Sequence, residues 1–251
     1  MKALVFAAGV GSRLKPFTDS HPKALVEVGG RPMLALVIEK IVRAGIRDII
    51  VNVHHFADQI IDFLRDNDFG AKITISDERD RLLETGGGLL KALDYIGNSP
   101  VLIHNADILT DFALKDLFAV HSAGKGFVTL LTADRATSRK FVFDGVSGSL
   151  SGWTNLDKGI VRPATLRISP DHVLRAFDGV HVLDPDIYPE LLKYRKPGEP
   201  FSITDFYIDI CDRYVINRFD LPKGACWFDV GKPETLARAC DYMTKSSSHN
   251  D

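Results

Sequence analysis

The chain has 251 residues, of which 45% are hydrophobic and 25% are charged, and its formal net charge is −2. Such a chain is long enough to bury a sizeable core, as ordinary globular proteins do. Its lysines and arginines form no dense block, so we expect no nucleic-acid partner, because binding to a phosphate backbone depends on clustered cations. No apolar stretch is long enough to span a membrane, and Met1-Lys2 precedes a predicted strand rather than a secretory signal. We therefore expect a cytoplasmic protein without a membrane partner.

The opening of the chain predicts a phosphate-binding loop. An apolar run at residues 3–8 ends in Gly9-Val10-Gly11-Ser12-Arg13, which is typical of a buried strand followed by a turn. Glycines let the backbone approach a ligand closely, and its N–H groups can then face phosphate oxygens. Arg13 offers a planar fork of donors, and Lys23 in the nearby segment 22–25 adds a mobile point charge. We predict a nucleoside triphosphate site, the alternative being a tight strand-to-helix turn with two solvated cations.

Two better-known phosphate loops are absent from this segment. A Walker loop requires Gly-Lys-Ser/Thr after a four-residue spacer, and a dinucleotide loop requires G-x-G-x-x-G. The third glycine of the second pattern is replaced by Leu14. A dehydrogenase also places an acidic residue at the end of its second strand, whereas the second predicted strand here ends in Asn52-Val53-His54-His55. Dinucleotide binding is therefore the weaker interpretation of the loop.

The first half of the chain alternates predicted strands and helices. Beyond the opening strand, strands are predicted at residues 48–53, 71–76 and 101–104, and helices at residues 33–44, 57–65 and 89–96. Strand-helix-strand order with short connections implies right-handed crossovers and a largely parallel sheet with helices on both faces. Ligands of such sheets bind at the carboxyl ends of the strands.

The second half of the chain predicts a mixed or antiparallel lid. Short β-rich segments lie at residues 127–132, 140–143, 150–153 and 177–183, separated by Gly, Ser and Asp. They are followed by predicted helices at 186–194 and 204–214, a strand at 225–230 and a closing helix at 233–243. The polar tail, residues 246–251, is predicted to be disordered.

Two aspartates follow apolar runs and predict a magnesium site. Asp107 comes after the run 101–103, and Asp229 comes after Cys226-Trp227-Phe228. Two strand-end carboxylates that meet at one triphosphate suit Mg²⁺, which takes hard oxygen ligands and completes its shell with water and phosphate oxygens. Either aspartate alone is more often a turn or cap residue, so Asp107 could start a loop and Asp229 could cap the helix at Pro233.

A glycine run, Gly86-Gly87-Gly88, precedes the predicted helix at 89–96. Three glycines disfavour a helix, so close approach of a flat base or ribose to the backbone would explain them, and a plain loop is the alternative.

The remaining candidate metal ligands favour structural roles. His54 and His55 lie next to each other and would point to opposite faces of an extended segment, so a surface or capping role is favoured. His104 is predicted to be a core residue with both ring nitrogens satisfied. The widely spaced cysteines lack the paired spacing of a zinc site and are predicted to be reduced, buried hydrophobes: Cys211, Cys226 and Cys240.

These motifs together resemble the family of nucleotidyltransferases that join a sugar 1-phosphate to a nucleoside triphosphate. The family's signature, Ala-Ala-Gly-x-Gly-x-Arg followed by Pro-Lys-x-Leu, is intact at residues 7–13 and 22–25. The resemblance runs from residue 1 to about residue 242 and also includes the glycine run, Asn105-Ala106-Asp107, Ile203-Thr204-Asp205 and the segment 227–231. Within the family, the segment 83–88 and the Trp-x-Asp-Val-Gly ending look most like short uridylyltransferases acting on N-acetylmuramic acid 1-phosphate.

The resemblance implies an α/β fold of the nucleotide-diphospho-sugar transferase type, which is a Rossmann-like three-layer α/β/α arrangement around a mainly parallel mixed sheet. It implies a single domain at residues 1–245 that carries a small β-rich lid on the sugar side. Residues 1–125 would bind the nucleotide, and residues 126–245 would bind the sugar and form the lid. We expect a monomer or a small homo-oligomer.

The resemblance also implies a reaction in which the sugar phosphate attacks the α-phosphorus of the triphosphate and expels pyrophosphate. Magnesium held by Asp107 and Asp229 would bridge the two phosphates. Arg13 and the Gly11 backbone would bind the β- and γ-phosphates, and Lys23 would meet the α-phosphate and the incoming sugar phosphate.

The resemblance further assigns the nucleoside and the sugar to particular residues. The nucleoside would lie along a short set of small residues: Ala7, Ala8, Gly9, Thr85 and Gly86. Glu78 is the nearest match to the side chain that reads the pyrimidine edge, and Asn105 and Gly179 match positions near the sugar. The Glu-Lys-Pro that family members often carry in the lid is replaced here by a segment containing Trp153, Asn155 and Lys158.

Several alternatives stay open at the level of sequence. One is a guanylyl- or thymidylyltransferase acting on mannose or glucose 1-phosphate. Another is a cytidylyltransferase acting on phosphocholine, for which Trp153, Trp227 and Tyr207 could supply aromatic faces. A third is a regulatory subunit that binds a nucleotide without catalysis. Such a subunit would tend to lose one of the charged site residues, and all four remain: Arg13, Lys23, Asp107 and Asp229.

Overall fold

A ten-stranded mixed sheet lies at the centre of the protein, which a computed structural model describes for residues 1–247. The strands of the described chain are β1 (Lys2–Phe6), β2 (Glu27–Val28), β3 (Arg31–Pro32), β4 (Asp48–Val53), β5 (Lys72–Asp77), β6 (Val101–Asn105), β7 (Ile108–Thr110), β8 (Val128–Ala133), β9 (Arg139–Asp144), β10 (Leu150–Asn155), β11 (Ile160–Arg162), β12 (His172–Leu183), β13 (Ile216–Asp220) and β14 (Trp227–Asp229). The helices are α1 (Met33–Arg43), α2 (Ala57–Asp66), α3 (Glu84–Ile96), α4 (Leu114–Ala123), α5 (Tyr188–Tyr194), α6 (Ile203–Ile210) and α7 (Pro233–Ser247).

The first half of the chain forms the parallel part of the sheet. Strands β6, β1, β4 and β5 lie side by side in that order, and all three pairings between them are parallel. The register places Phe6, the last residue of β1, beside Asn52 of β4 and Asn105 of β6. The carboxyl ends of these three strands therefore meet at one edge of the sheet, where ligands of parallel sheets bind.

The second half of the chain extends the sheet with antiparallel strands. The long strand β12 pairs antiparallel with β6 through residues 180–183 and with β9 through residues 172–175. Strands β9, β10 and β11 form an antiparallel layer, which we call the lid. Strand β8 pairs with the other edge of β12 and with β13. The predicted antiparallel lid is therefore present.

Two hydrophobic cores, one on each face of the sheet, confirm the predicted three-layer arrangement. Alternate residues of β1 enter different cores, because successive side chains of a strand point to opposite faces. Ala3 and Val5 belong to the core that contains buried residues of α1, α2, α4 and α7, whereas Leu4 belongs to the core that contains those of α3, α5 and α6. Full burial of each leucine or valine in these cores contributes about 1.5–3 kcal/mol.

Several predicted elements differ from the structure. The glycine run lies inside α3, which begins at Glu84 rather than after the run. Helix α4, strand β13 and the small hairpin of β2 and β3 were not predicted. Helix α7 continues through Ser247, and the rest of the segment predicted to be disordered lies outside the described residues. The three cysteines are free as predicted, but they are partly exposed rather than buried. In residues 1–247, no helix has both the length and the apolar character needed to cross a bilayer.

Candidate active site

The glycine loop after β1 is held in place by a buried amide. Asn52 Oδ1 accepts hydrogen bonds from the backbone N–H groups of Ala7 and Ala8, at 2.7 and 3.3 Å. These two N–H groups therefore bind the protein itself rather than facing a ligand. Asn52 Nδ2 in turn donates to Glu78 Oε1 at 2.9 Å. Asn52 had no predicted role, yet it fixes the start of the loop relative to the strand end.

Glu78 lies next to this amide, and its carboxylate is bound within the protein. Its second oxygen, Oε2, accepts from Leu83 N at 3.1 Å, so both carboxylate oxygens are bound within the protein. The residue is 1% exposed, and burial raises the pKa of its carboxyl group above the ordinary value. The structure therefore places Glu78 as a support for Asn52 and for the loop that precedes α3.

The loop itself reaches the site through two glycines with different environments. Gly11 has a φ of +69°, and a Cβ there would lie 2.8 Å from both Lys23 Cβ and Thr18 Cγ2. Its carbonyl accepts a hydrogen bond from Thr18 Oγ1 at 2.9 Å. Gly11 is therefore needed to fold the loop back against the Lys23 segment. At Gly9, by contrast, a Cβ would meet nothing within 4 Å, so the backbone faces open space.

A cavity of about 350 Å³ opens at the strand ends, and we call it the central cavity. It contains seven of the predicted site residues: Ala7, Ala8, Gly9, Lys23, Thr85, Asn105 and Asp107. Phe6, Ala24, Asn52, Leu82, Glu84 and Ala106 complete its lining. The walls combine apolar surface with a few convergent polar groups, as in sites that bind small molecules.

Four charged residues from distant parts of the chain meet beside the central cavity, around Gly231. Lys23 Nζ forms a short ion pair with Asp107 Oδ2, and Arg13 Nη2 lies 4.0 Å from Asp229 Oδ2. The position of a Cβ on Gly231 would be 2.6 Å from Lys23 Nζ, 2.8 Å from Asp229 Oδ1 and 3.0 Å from Arg13 Nη2. Val230 N also donates to the Asp107 carbonyl at 3.0 Å, which ties the two aspartate segments together. The structure therefore brings the two predicted cations and the two predicted carboxylates to one place.

The carboxylates at this place are suited to a divalent cation that is completed by a ligand. Asp107 and Asp229 supply hard oxygen donors, which Mg²⁺ prefers. Among residues 1–247, no group of three or more His, Cys, Asp or Glu side chains is arranged to hold a metal. Mg²⁺ is commonly bound by one or two carboxylates together with substrate phosphates. The donor set fits magnesium on those terms. Asp229 Oδ1 also accepts from Gly231 N at 2.9 Å, which is a turn hydrogen bond two residues before α7 begins rather than a cap of that helix.

The glycine run in α3 is explained by packing within the protein, without a base or ribose against it. A Cβ on Gly86 would lie 2.2 Å from the Phe201 ring, and one on Gly87 would lie 2.6 Å from the Glu199 carbonyl oxygen. Gly86 N donates to the Phe201 carbonyl at 2.8 Å. Gly86 is thus buried under Phe201 and does not line the central cavity. Its neighbour Thr85 does, although Thr85 Oγ1 also accepts from the backbone of α6.

The two residues predicted near the sugar pack against each other. Gly179 has a φ of +77°, and a Cβ there would be 2.8 Å from Asn105 Nδ2 and 3.0 Å from Ile108 Cγ1. Gly179 is buried behind Asn105, whereas Asn105 lines the central cavity. The absence of a side chain at residue 179 therefore makes room for the Asn105 amide at the end of β6.

A second cavity, of about 610 Å³, lies between the lid and the charged cluster, and we call it the lid cavity. Asp229 lines one part of it, and lid residues including Trp153 line another. Arg135, also in its lining, stacks on the Trp227 ring with its guanidinium carbon 3.8 Å from the ring centroid. Arg135 Nε donates to the buried Asp178 carboxylate at 2.7 Å, and Trp227 Nε1 donates to the Asp178 carbonyl at 3.0 Å. Burial raises the pKa of the Asp178 carboxyl to about 6, although Arg135 opposes the shift.

Sequence reasoning did not assign Asn52, Gly231 or Arg135 to the site. Gly231 carries a signal, since it ends the Trp-x-Asp-Val-Gly segment, but its importance lies in the side chains that crowd around it. Arg135 lies in a segment without a motif, and only the tertiary structure brings it onto Trp227.

The histidines lie outside the charged cluster, as predicted. His54 Nδ1 is 2.7 Å from the Glu78 carbonyl oxygen, and the His55 ring stacks near Phe56. His104 is a core residue, but only one of its ring nitrogens is satisfied. Its Nδ1 lies 2.8 Å from the Asn105 carbonyl oxygen, while Nε2 has no hydrogen-bond partner in the described chain.

Solved structures share this fold. A putative glucose-1-phosphate thymidylyltransferase from Bacillus anthracis superposes with a TM-score of 0.80 at 20% identity, covering 96% of this chain and 94% of that one. A UDP-glucose pyrophosphorylase complexed with UDP-glucose superposes with a TM-score of 0.76 at 20% identity, covering 98% of both chains. These similarities confirm the predicted fold.

Sequence comparison identifies the family. A family described as "Nucleotidyl transferase" matches residues 2–145, which is more than half of the chain. The N-acetylmuramate alpha-1-phosphate uridylyltransferase of Caulobacter vibrioides is 32% identical over 247 residues, covering 94% of this chain and 94% of that protein. The mannose-1-phosphate guanyltransferase of Pichia angusta is 30% identical, and this chain spans 66% of its length. The chain therefore belongs to the nucleotidyl transferase family, and within it to the sugar-1-phosphate nucleotidyltransferases.

Proposed function

We propose that this enzyme transfers the uridylyl group of UTP to N-acetylmuramic acid 1-phosphate, giving the UDP-sugar and pyrophosphate. The observation that carries the choice of substrates is the similarity to the Caulobacter vibrioides uridylyltransferase along 94% of both chains.

The charged cluster around Gly231 is suited to bring two polyanions together. An oxygen of the sugar phosphate attacks the α-phosphorus, and the bond from that phosphorus to the bridging oxygen of the β-phosphate breaks, so pyrophosphate leaves with the electron pair. The attacking phosphate is already ionised, so no protein base is required. Lys23 and Arg13 hold the phosphates against their mutual repulsion, and such alignment and charge stabilisation are the main sources of catalysis in phosphoryl chemistry.

Mg²⁺ is the cofactor that we propose for this cluster, held by the carboxylates of Asp107 and Asp229. When bound, the ion neutralises phosphate charge and polarises the phosphoryl oxygens. Lys23 forms an ion pair with Asp107 in the protein alone, so this lysine is already beside the carboxylate when the phosphates arrive. The same amine can then turn its remaining donors to the phosphate oxygens, since an ammonium group has three donors.

The central cavity is the proposed nucleoside site. A Cβ on Gly9 would meet nothing within 4 Å, and Leu82, Glu84 and Thr85 also line this cavity. Since the Glu78 carboxylate is bound to Asn52 and Leu83, we propose that the base is recognised by backbone groups of Leu82 and the first residues of α3 rather than by Glu78.

The lid cavity is the proposed acceptor site, because it shares Asp229 with the charged cluster and has aromatic side chains in its lining. Phosphocholine is disfavoured as acceptor. Although the lid cavity contains Trp153, Phe141 and Phe177, its lining also carries several arginines that would repel a quaternary ammonium group.

The test is a pyrophosphate-release panel that crosses UTP, dTTP, GTP, CTP and ATP with several sugar 1-phosphates and phosphocholine, in the presence of Mg²⁺. We expect the highest kcat/KM for UTP with N-acetylmuramic acid 1-phosphate. Preference for GTP with mannose 1-phosphate would overturn the substrate assignment, and silence across the panel would favour a regulatory subunit that only binds nucleotide. Omission of Mg²⁺ with a chelator is expected to abolish turnover.

A pair of variants tests the role of the cluster. Asp107→Ala is expected to lower kcat by orders of magnitude with little change in thermal stability, because the side chain is partly exposed and acts on the ligand. Asp116→Asn, on the exposed surface of α4, removes one carboxylate charge away from the site and serves as the matched control. A variant Asp107→Ala that loses stability but keeps its turnover would show that Asp107 is a structural residue.

A further inference from the structure

One face of the lid carries a pattern of aromatic and cationic side chains. In the antiparallel register, Trp153 of β10 lies opposite Phe141 of β9, and Asn155 lies opposite Arg139. Side chains at directly opposed positions share a face of the sheet, and so do residues two apart along a strand. All four side chains line the lid cavity. The cavity therefore has an aromatic part at Trp153 and Phe141 and a polar part at Asn155 and Arg139.

The cations of the lid cavity differ in whether they have carboxylate partners. Arg135 is paired with Asp178, and Arg162 forms an ion pair with Asp205 at 2.5 Å. Arg139 and Lys158 line the same cavity, yet neither forms an ion pair with any residue in the range 1–247. Lys158 lies in the turn that follows β10, and its N–H donates to Asn155 Oδ1 at 3.3 Å.

Arg139 and Lys158 both lie next to Asn155, at the edge of the lid. Asn155 lies opposite Arg139 in the sheet, and its Oδ1 accepts from the backbone N–H of Lys158. Two cations that line one cavity without a carboxylate partner in the described part of the chain favour an anionic ligand there. Guanidinium and ammonium groups are the usual partners of carboxylates.

We infer that the acceptor sugar carries a carboxylate in addition to its phosphate, and that Arg139 and Lys158 bind this carboxylate. The inference rests on the proposed function, because it takes the lid cavity as the acceptor site. It also makes that function more specific, since it assigns two residues to selection of an acidic sugar over a neutral one.

The geometry separates this second anion from the phosphate of the acceptor. The phosphate must reach the α-phosphorus, so it belongs at the charged cluster, where Asp229 borders the lid cavity. The lid pair belongs to different elements, β9 and the turn after β10, and is bordered by the aromatic pair rather than by the cluster. A cavity of about 610 Å³ is of the size that accommodates a small ligand such as a monosaccharide. The sugar ring then lies against Trp153, with its phosphate directed to one end and its carboxylate to the other.

The effect on selectivity is moderate, because both cations are exposed to solvent. Ion pairs between exposed groups are individually weak, so two of them together correspond to about a 2- to 30-fold change in kcat/KM. The loss should fall on KM for the acidic acceptor, since these residues bind the sugar in both the ground state and the transition state.

The experiment compares acceptors that differ in the carboxylate. N-acetylmuramic acid 1-phosphate and N-acetylglucosamine 1-phosphate differ by the lactyl group, and glucuronic acid 1-phosphate and glucose 1-phosphate form a second pair. The ratio of kcat/KM within each pair is measured for the natural chain and for the double variant Arg139→Gln/Lys158→Gln. Each sugar phosphate is also measured as a competitive inhibitor, so that a poor substrate still gives a binding constant.

We expect the natural chain to favour the acidic member of each pair and the double variant to lower the ratio about 2- to 30-fold, mainly through KM. Lys125→Gln, an exposed lysine outside the lid cavity, is the matched control and should leave the ratios unchanged. Raised salt should lower the ratio for the natural chain and have a smaller effect on the double variant.

Each alternative outcome has a distinct meaning. Equal losses for acidic and neutral acceptors would show that Arg139 and Lys158 bind the phosphate or the nucleotide, and would overturn the inference. An unchanged ratio would overturn it as well. If the uridylyl transfer itself is absent but glucuronic acid 1-phosphate still binds better than glucose 1-phosphate in a way that depends on the two cations, the proposed function fails while the inference stands.

Discussion

Replacing His181 by phenylalanine is expected to remove about half of the acid sensitivity that two buried histidines give to the fold. His181, on β12, is 1% exposed, and neither of its ring nitrogens has a hydrogen-bond partner in the described chain. Its nearest ring neighbours are Phe177 and Tyr207, at centroid distances of 5.2 and 5.7 Å. Burial, with a smaller contribution from His104, lowers the pKa of His181 to about 3. Burial likewise lowers the pKa of His104 to about 4, with Lys40 adding to the shift.

The direction in which stability changes with pH follows from the number of protons that the folded and unfolded states bind. Below the ordinary pKa of 6.5, the unfolded chain takes up a proton at each histidine, while the folded chain does not until the pH reaches the lowered value. The stability is therefore fully present above about pH 6.5 and falls as the pH drops below it. Below pH 6.5, each histidine lowers the free energy of unfolding by about 1.4 kcal/mol per pH unit, which amounts to about 2 kcal/mol between pH 7.5 and pH 5.

The assay is urea unfolding of both proteins at several pH values from 7.5 to 5. The substitution changes packing at every pH, so the difference between the two slopes isolates the titration of His181. Carboxylates that titrate in the same range contribute equally to both proteins and cancel. We expect the free energy of unfolding to fall by about 2 kcal/mol less in His181→Phe than in the natural chain. Parallel pH profiles would show that His181 binds its proton in the folded state and would refute the reasoning.

Three glycine substitutions distinguish glycines that leave room for a ligand from glycines that the packing of the protein requires. Gly9→Ala should leave stability unchanged or slightly raised, because a Cβ there meets nothing within 4 Å, and should raise KM for the triphosphate about 10-fold or more; a normal KM would place the nucleotide elsewhere. Gly231→Ala should lower kcat with a loss of stability below about 1 kcal/mol, since it displaces only the flexible ends of charged side chains such as Lys23, and a wild-type kcat would contradict it. Gly86→Ala should destabilise the fold by about 1–3 kcal/mol in urea unfolding, because its Cβ would lie 2.2 Å from the Phe201 ring, and an unchanged midpoint would refute this.

The elements that could be predicted from the sequence are those whose burial requires a recognisable run or alternation of apolar residues. Strand β4 was predicted with its observed bounds, because it is buried on both faces and so reads as a continuous apolar run. Strand β13 has no such run. Its sequence, Ile-Asn-Arg-Phe-Asp, is partly exposed, and it pairs with β8 and, through one isolated bridge at Asn217, with Ser149. Its existence depends on a partner far away in the chain.

The glycine run shows where propensity reasoning fails. Three glycines disfavour a helix by about 1 kcal/mol each relative to alanine, which made a loop and a bound ligand attractive explanations. In the structure, the glycines instead let α3 lie directly beneath Phe201 and the Glu199 carbonyl. The packing of those groups outweighs the weak local preference, and nothing near the run in sequence indicates them.

The residues of the candidate site likewise fall into those that the sequence could predict and those that it could not. The phosphate loop, Lys23 and Asp107 follow from short motifs, because each lies at a strand end or in a turn that the sequence marks. The role of Asn52 could not be predicted from a motif. It depends on the strand register, which places Asn52 beside Phe6 and within hydrogen-bond distance of two N–H groups of the loop. Register is a property of the paired strands rather than of either one alone.

The composition of the charged cluster explains how its four side chains can lie together. Lys23 and Arg13 alone would repel each other at such short range, and Asp107 and Asp229 would do the same. Interleaved, the two cations and two carboxylates neutralise one another. Under the proposed function, a triphosphate would meet cations that the carboxylates orient, which would lower the reorganisation required during the reaction. The same neutral balance means that removing any one charge changes the positions of the other three, so single substitutions in the cluster are expected to be strongly non-additive.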